Sequence, residues 1–258
     1  MPPVTPSNRN EIVDWYHSIP PITRAIFTLS IATTVAPALG LVNPYWLILS
    51  WNGVAKLQLW RLVTSFFLNG LGLGFAMNVY FLYRYSSQLE NEVFLGRTAD
   101  YLFFNLFTSA VQLAAAKFLN LYVLSDGLML SIAYLWSQHY RDVPVSFMFG
   151  IRFKALYLPW VLVGYDYLTT GAMPMASLAG IGAAHLYYYL TTVYPSQGGR
   201  RYLNTPSFLH SLFPTSRAGF ATGAGFQAYP GRPAQQQQQM FTNPFGGHSW
   251  GRGQRLGS

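Results

Sequence analysis

Apolar residues occur along this chain in long runs that contain no charge, and short polar breaks separate the runs. No Asp, Glu, Lys or Arg lies within residues 25–55, 62–83 or 167–199. An uncharged apolar stretch of about 18 residues or more is what a helix needs to span a bilayer. The helices of a soluble protein would instead show a polar face every three to four residues. The pattern therefore predicts a membrane protein of the all-α class that crosses the bilayer several times.

The polar breaks divide most of the chain into six predicted membrane-spanning helices. Their predicted bounds are Ile22–Leu41, Leu73–Gln88, Ala99–Ala116, Val123–Gln138, Ala155–Thr170 and Pro174–Tyr194. The segment 42–72 is apolar and aromatic, but Asn-Pro and Asn-Gly pairs and Lys56 interrupt it. This segment predicts short helices at the membrane interface, where Trp and Tyr are enriched.

The fourth predicted span, Val123–Gln138, is short for a membrane helix. Its 16 residues give about 24 Å of helix, against a hydrocarbon core of about 30 Å. Two explanations remain open at this point. Either the bilayer is thinner beside this helix, or the helix extends by one more turn.

The regions on either side of the spans differ in character. Residues 1–21 predict a cytosolic amphipathic segment, because four apolar residues share one face of a short helix: Ile12, Trp15, Tyr16 and Ile19. Residues 22–194 are the predicted membrane domain. Residues 195–258 are rich in Gly, Pro, Gln and Ser and have no helical period, which predicts a disordered cytosolic tail.

The distribution of the basic residues predicts the orientation of the chain in the membrane. Charged residues make up 9% of the chain, against about 25% in soluble domains, and the net charge is +8. If both termini are cytosolic, thirteen of the 16 Lys and Arg residues fall in cytosolic segments, in agreement with the positive-inside rule. These basic residues do not cluster on one polar face, so nucleic-acid binding is not predicted.

The chain contains no cysteine, which excludes disulfides, zinc–thiolate sites and a thiol nucleophile. No metal or cofactor site is predicted. The first apolar run follows the acidic residues Glu11 and Asp14, whereas a cleaved signal peptide has a basic start. We therefore expect the first span to be a retained signal anchor.

Six local strings, in order and with regular spacing, resemble the derlin family. They are "WYHSIPPITR" (15–24), "LQLWRLVTSFF" (57–67), "FLYRYSSQLE" (81–90), "GRTADYLF" (96–103), "VSFMFGIRFKALYLPWVL" (145–162) and "HLYYYLTTVYP" (185–195). The resemblance covers about residues 11–206. It implies a rhomboid-like bundle of six transmembrane helices in the endoplasmic reticulum membrane, with both termini cytosolic. Its implied role is non-catalytic: retrotranslocation of misfolded substrate proteins, beside an endoplasmic reticulum ubiquitin-ligase complex. Whether the unit is a monomeric half-channel or a homo-oligomer stays open.

The last residues, "HSWGRGQRLG" (248–257), resemble the SHP box, which in this family recruits the hexameric AAA ATPase known as p97 or Cdc48. The Trp and Leu side chains suit apolar anchors, the Arg side chains suit an acidic rim, and the glycines allow close approach. The residues expected to bind the ATPase are His248, Trp250, Gly251, Gly253, Arg255 and Leu256.

The resemblance also implies that eight residues of the membrane domain act on substrate or membrane: Trp60, Arg61, Asn69, Asn78, Ser86, Glu90, Gly180 and His185. Each also has a structural interpretation. Trp60 suits an interfacial anchor, and Arg61 suits a cap for carbonyl groups. Ser86 and Glu90 either bind an unfolded segment or pair with Arg97 and the next helix. We favour the structural interpretation for Glu90 and leave Ser86 open.

An active rhomboid serine protease is the alternative function. Such a protease needs a serine in a Gly-x-Ser-Gly setting on the fourth span and a histidine on the sixth. The candidates are Ser131, which lacks both glycines, and His185, which bulky Tyr187 follows. No catalytic residue is therefore predicted. A small-solute transporter is a weaker alternative, because the chain shows no internal repeat.

Two ionisable residues in the spans need an explanation. His185 is expected to be a buried group in a contact between helices. A charge at Asp166 would cost about 2.5–3.5 kcal/mol at mid-membrane, so it is expected near the luminal end of its helix or in a water-filled cavity.

Overall fold

The computed structural model describes residues 11–146, 150, 152–198, 200 and 203–213, which are mostly helical. The helices are α1 (Glu11–Ser18), α2 (Pro21–Ala38), α3 (Trp51–Ala55), α4 (Trp60–Thr64), α5 (Leu73–Gln88), α6 (Thr98–Leu119), α7 (Ser125–His139), α8 (Leu158–Thr170), α9 (Met175–Tyr188), α10 (Tyr194–Ser196) and α11 (Ser207–Leu212). Short 3-10 turns lie at Pro44–Trp46 and Ala155–Tyr157, and π-helical turns lie at Leu89–Val93 and Tyr189–Val193. Strands β1 (Pro144–Ser146) and β2 (Arg152–Lys154) pair in antiparallel fashion.

Each of the six apolar runs contains one helix, and these are α2, α5, α6, α7, α8 and α9. The bounds of α5 are those predicted, and most other ends differ by three residues or fewer. Helix α9 differs most, because it stops at Tyr188 and continues as the π-helical turn. By length and composition, α6 is the one helix in the described part of the chain that is long and apolar enough to cross a membrane. The six-span topology therefore stays a prediction.

Local sequence signals explain where several helices begin and end. Pro21 occupies the first turn of α2, where the backbone N–H of a helix has no partner within the helix. Helices α6 and α8 end at Asn120 and Gly171, whose φ values of 53° and 67° are left-handed. The hydroxyl of Ser50 accepts the N–H of Gly53 at 3.4 Å and so caps α3.

The short elements outside the bundle were also predicted from the sequence. The segment 42–72 contains one 3-10 turn and the short helices α3 and α4, as its broken apolar pattern predicts. The amphipathic N-terminal segment forms α1. Trp15 joins α1 to the bundle, because its ring packs on Phe27 and Tyr83. Ile19, just after α1, is buried.

Helix α7 is the central helix. All residues from 125 to 137 except Asp126 are buried, as expected for a helix that other helices surround. It packs most extensively against α9 and also contacts α5, α8 and α6. The backbones of α7 and α9 meet at Gly127 and Gly180, where a Cβ on Gly180 would collide with the carbonyl group of Gly127. Only small residues permit so close a helix crossing.

One stretch of the predicted tail differs from the expectation of disorder from residue 195 onward. Helix α11 packs on α6, and Leu209 is buried there. The hydroxyl of Thr205 donates to Oδ1 of Asp100 at 2.6 Å, and His210 Nε2 lies 3.6 Å from the same oxygen. The composition of the whole tail obscures this short segment, "SFLHSL", which has enough apolar surface to pack. Residues 214–258 lie outside the described residues.

Candidate functional site

Glu90 lies on the π-helical turn after α5, with only 1% of its surface exposed, and its carboxylate caps the start of α2. One oxygen accepts the backbone N–H of Ile22 at 3.1 Å. The other accepts the backbone N–H of Thr23 at 2.9 Å and its hydroxyl at 2.8 Å. The first N–H groups of a helix lack intrahelical partners and carry partial positive charge, so the carboxylate stabilises this helix end. Burial nevertheless raises the pKa of Glu90 above its ordinary 4.5, and the hydrogen bonds from Thr23 only partly oppose this shift.

Ser86 extends the same network to a third helix. Its hydroxyl lies 2.7 Å from the hydroxyl of Thr23 and 2.6 Å from that of Tyr101. The chain of contacts thus joins α2, α5 and α6 within the protein. The contacts agree with the structural interpretation favoured for Glu90 and with the contact between Ser86 and the next helix. Arg97 is not the partner, because it pairs with Asp100 of its own helix at 3.3 Å.

Asn78 forms a second polar cluster near the opposite end of α5. Its amide nitrogen donates to Oδ1 of Asn69 at 3.2 Å and to Oδ1 of Asp126 at 2.9 Å. The backbone N–H of Asn69 donates to the hydroxyl of Thr34 at 3.2 Å. The cluster joins α2, α5, α7 and the segment before α5. Both asparagines were candidate site residues from the sequence, whereas Asp126 was not.

Asp166 lies near the C-terminal end of α8, which is the luminal end in the predicted topology. It is partly exposed, and its carboxylate accepts the hydroxyl of Ser177 in α9 at 2.6 Å. A carboxylate at a helix end with a hydroxyl donor avoids the cost of an unpaired charge at mid-membrane.

Trp60 and Arg61 bind the loop in which they lie. The Nη1 of Arg61 donates to the carbonyl oxygens of Tyr45 and Ile48 at 2.7 Å and 3.0 Å. The indole N–H of Trp60 donates to the carbonyl of Trp46 at 3.3 Å. The cap for carbonyl groups predicted for Arg61 is therefore present. About half of the Trp60 surface, 49%, stays exposed.

The two protease candidates do not pair with each other. The hydroxyl of Ser131 is fully buried and donates to the carbonyl of Leu128 in its own helix at 2.7 Å. Nδ1 of His185 lies 2.6 Å from the hydroxyl of Tyr134. A serine whose hydrogen is donated to its own helix has no base to accept the proton. Among the described residues, no three His, Asp or Glu side chains are placed to bind a metal ion.

His185 is exposed, which corrects the expectation of a buried group. It lies on the wall of a cavity of about 650 Å³ between α7, α8 and α9. The lining includes Tyr134, Gln138, Tyr157, Trp160, Gly182 and His185. Sequence reasoning missed this cavity, since it depends on how far apart α8 and α9 lie.

Gly180, predicted to act on membrane or substrate, lies instead at the packed crossing with α7. Next to that crossing lies Gln112 of α6, whose side chain is fully buried. Neither its amide oxygen nor its amide nitrogen has a hydrogen-bond partner. The six residues expected to bind the ATPase lie outside the described residues.

The chain is similar along most of its length to proteins that are already known. A model of the Der1-like family matches residues 19–207. Derlin-1 of Homo sapiens is 41% identical over 256 residues, which cover 96% of this chain and 99% of that protein. Derlin-1 of Drosophila melanogaster is 36% identical, covering 94% and 97%. Derlin-2 of Oryza sativa subsp. japonica is 36% identical, covering 87% and 98%.

Proposed function

The chain belongs to the Der1-like family, as its sequence predicted, and from that premise we propose that it is a non-catalytic membrane component of endoplasmic-reticulum-associated degradation. It would aid the retrotranslocation of misfolded proteins beside an endoplasmic reticulum ubiquitin-ligase complex. The observation that supports this most is the extent of the family match, because residues 19–207 enclose all six predicted spans. Relatives from animals and a plant match the chain over nearly their whole lengths.

The contacts of Ser131 and His185 support a non-catalytic role. In a protease the histidine would accept the serine proton, whereas here the two side chains bond to Leu128 and Tyr134. We expect Ser131→Ala to leave the degradation of a misfolded substrate unchanged in cells that depend on this chain. A pulse-chase measurement of substrate half-life tests this. A longer half-life, together with cleavage of the substrate by wild type alone, would favour the protease instead.

We propose six spans with both termini in the cytosol. The contact map of α7 and the length of α6 agree with a membrane bundle, and the basic residues give the direction. Glycosylation acceptors inserted after residues 70 and 171 would be modified in this topology, and acceptors inserted near residues 148 and 230 would not. Modification at residue 230 would place the C-terminus in the lumen and contradict the proposal.

Helices α7 and α8 are short and, unlike α9, neither continues as a π-helical turn, which supports a thinned bilayer beside them. Helix α7 has 15 residues and α8 has 13. These lengths correspond to about 22 Å and 20 Å, against a hydrocarbon core of about 30 Å. A thinner bilayer would lower the cost of moving polar segments of a substrate across it. A structure of the full chain in a lipid nanodisc tests the idea, and a uniform bilayer around the bundle would contradict it.

The loop that carries Trp60 and Arg61 is proposed to contact the substrate. Tyr45 and Trp46 are exposed by 72% and 62%, and Trp60 lies against them. Exposed aromatic rings suit both the membrane interface and apolar segments of an unfolded chain. Arg61 supports this surface through the backbone, so its proposed role is to position the aromatic residues.

The C-terminal residues are proposed to recruit the p97 or Cdc48 ATPase. The support is the sequence of residues 248–257, with its apolar Trp250 and Leu256 among glycines and arginines. A peptide of residues 239–258 should bind the N-terminal domain of the ATPase with micromolar affinity. The double change Trp250→Ala and Leu256→Ala should abolish binding, and Thr242→Ala in the same peptide is the matched control. Equal binding of the double variant and the control would contradict this part of the proposal.

A further inference from the structure

The cavity between α7, α8 and α9 has no part in the function proposed above. We propose that it binds an acyl chain of an anionic phospholipid from the cytosolic leaflet, whose phosphate group contacts the guanidinium of Arg141. The assignment of the site to the cytosolic leaflet rests on the six-span topology proposed above. The lipid binding itself depends only on the cavity and its charged rim.

The cavity suits a flexible apolar chain. Its volume of about 650 Å³ lies within the range of about 300–1,000 Å³ that is usual for ligand pockets. Leu156, Trp160, Leu178 and Ile181 form apolar walls. Gly182 contributes no side chain, and no atom lies within 4 Å of the position that a Cβ there would take.

A helix of a substrate protein is a poorer occupant than an acyl chain. A helix with its side chains is about 10–12 Å in diameter and rises about 5.4 Å per turn. The cavity is open to its surroundings, so a helix lying across it would place the side chains of little more than one turn inside. An acyl chain bends to fit an irregular space and leaves no backbone polar group without a partner.

Arg141 lies at one end of this cavity. Its Nη2 donates to Oε1 of Gln138, a lining residue, at 2.9 Å. Its carbonyl oxygen accepts the backbone N–H of Leu156, a second lining residue, at 3.3 Å. The guanidinium also contacts the hydroxyl of Tyr188 at 3.1 Å.

The guanidinium of Arg141 has capacity for an anion. Both of its side-chain partners, Gln138 and Tyr188, are neutral. Its Nε and Nη1 groups donate to no atom in the part of the chain that the structure describes. A planar guanidinium with free donors forms paired hydrogen bonds to a phosphate.

The charged residues that lie near Arg141 in the sequence do not oppose the binding of an anion. The nearby carboxylate of Asp142 is paired with Lys154 at 3.0 Å. Arg152 on β2 is exposed and adds a further positive charge. The cytosolic leaflet carries anionic lipids, and basic pockets between membrane helices on that side bind their headgroups. Charge complementarity therefore favours an anionic lipid over a zwitterionic one.

Native mass spectrometry of the detergent-purified full chain tests the proposal. The probes are palmitoyl-oleoyl phosphatidylserine and the phosphatidylcholine with the same chains. We expect the serine lipid to bind about fivefold more tightly, the effect of one Arg beside an anionic surface. Arg141→Gln should remove this preference and Arg141→Lys should retain most of it. Arg84→Gln, at an exposed arginine of α5, is the matched control and should retain all of it.

The acyl-chain part of the proposal has its own variant. Gly182→Leu fills the cavity and should weaken the binding of both lipids, by about tenfold. Equal binding of the two lipids to wild type, or unchanged binding to Gly182→Leu, would overturn the proposal. Displacement of the serine lipid by millimolar inorganic phosphate would do the same, since it would indicate a phosphate site. No substrate or ATPase takes part in this experiment, so its failure is distinguishable from failure of the degradation role.

Discussion

Gly180 and Gly182 lie two residues apart in α9, but the first is closely packed and the second faces open space. A Cβ on Gly180 would collide with the carbonyl group of Gly127, whereas a Cβ on Gly182 would meet no atom within 4 Å. On one side, α9 packs so closely against α7 that the backbones of the two helices approach each other at Gly127 and Gly180. The other side opens onto the cavity that α8 also borders.

Glycine therefore has two different roles in one helix. At Gly180 the missing side chain is a condition for the helix crossing. At Gly182 it leaves space that a ligand can use. The packed side of the bundle is therefore expected to respond strongly to small changes, and the open side weakly.

The largest effect is expected for Gly180→Ala. The added methyl group has no space, and the three atoms nearest to it all belong to the backbone of Gly127 in α7, so α9 must move. We expect a loss of at least about 3 kcal/mol in the free energy of unfolding, at or beyond the upper end for overpacked cores. Thermal unfolding of the purified chain in detergent measures it. Gly182→Ala is the control and should stabilise by about 0.5–1 kcal/mol through helix propensity. Equal effects at the two positions would contradict the comparison.

Glu90→Ala should destabilise the packed side by about 2–3 kcal/mol, because the N–H groups of Ile22 and Thr23 lose their side-chain acceptor in a buried setting. Glu90→Gln is the matched variant for pH. Since the pKa of Glu90 is raised in the folded protein, folding favours its protonated form. The stability of wild type relative to Glu90→Gln should thus be greatest below about pH 4.5 and should fall as the pH rises through the raised pKa. A difference that grows with pH would show that the carboxylate is the favoured form.

Gln112→Met should increase stability by about 1 kcal/mol. The amide of Gln112 is buried without a partner, and methionine replaces it with an apolar group of similar shape. Chemical denaturation in mixed micelles can resolve a change of this size. Gln138→Met is the control, because that amide bonds to Arg141 and its loss should give no gain. A destabilised Gln112 variant would indicate that the amide contacts an ordered water.

The smallest effect is expected on the open side, for Tyr134→Phe. This change removes the 2.6 Å hydrogen bond to Nδ1 of His185. Because this pair lies on the wall of the open cavity and not in the packed core, its loss leaves no fully buried polar group unpaired, and the cost should stay below about 1 kcal/mol. The same unfolding experiment applies, with Tyr101→Phe on the packed side for comparison. A larger loss for Tyr134 than for Tyr101 would reverse the contrast.

The apolar pattern predicted the helices well because burial in lipid or in the core depends on residue type. The bounds of α5 were predicted to the residue, and the short helices of segment 42–72 were expected from its polar breaks. The shortness of α7 was also visible in the sequence. The pair of strands in residues 144–154 and the packed helix α11 were not, since both are short and lack a strong period.

Contacts between residues that are far apart in the sequence could not be predicted from it. Glu90 and Thr23 are separated by 67 positions, and His185 and Tyr134 by 51. Whether such residues meet depends on which faces two helices present to each other where they cross. The local sequence pattern does not determine that orientation. The expectation of a pair between Glu90 and Arg97 followed from nearness in sequence and failed for this reason. The exposure of His185 was missed because an ionisable residue within a span suggests burial.

The attachment of α11 to α6 has a mechanical consequence. Thr205 and His210 contact the same carboxylate, Asp100, in the first turn of α6. Any force applied to the chain beyond residue 213 would load these bonds before it reached α9. The force would reach α6 at its N-terminal end and would break these contacts one after another. The strength of these contacts therefore determines how much force is transmitted to the helix bundle.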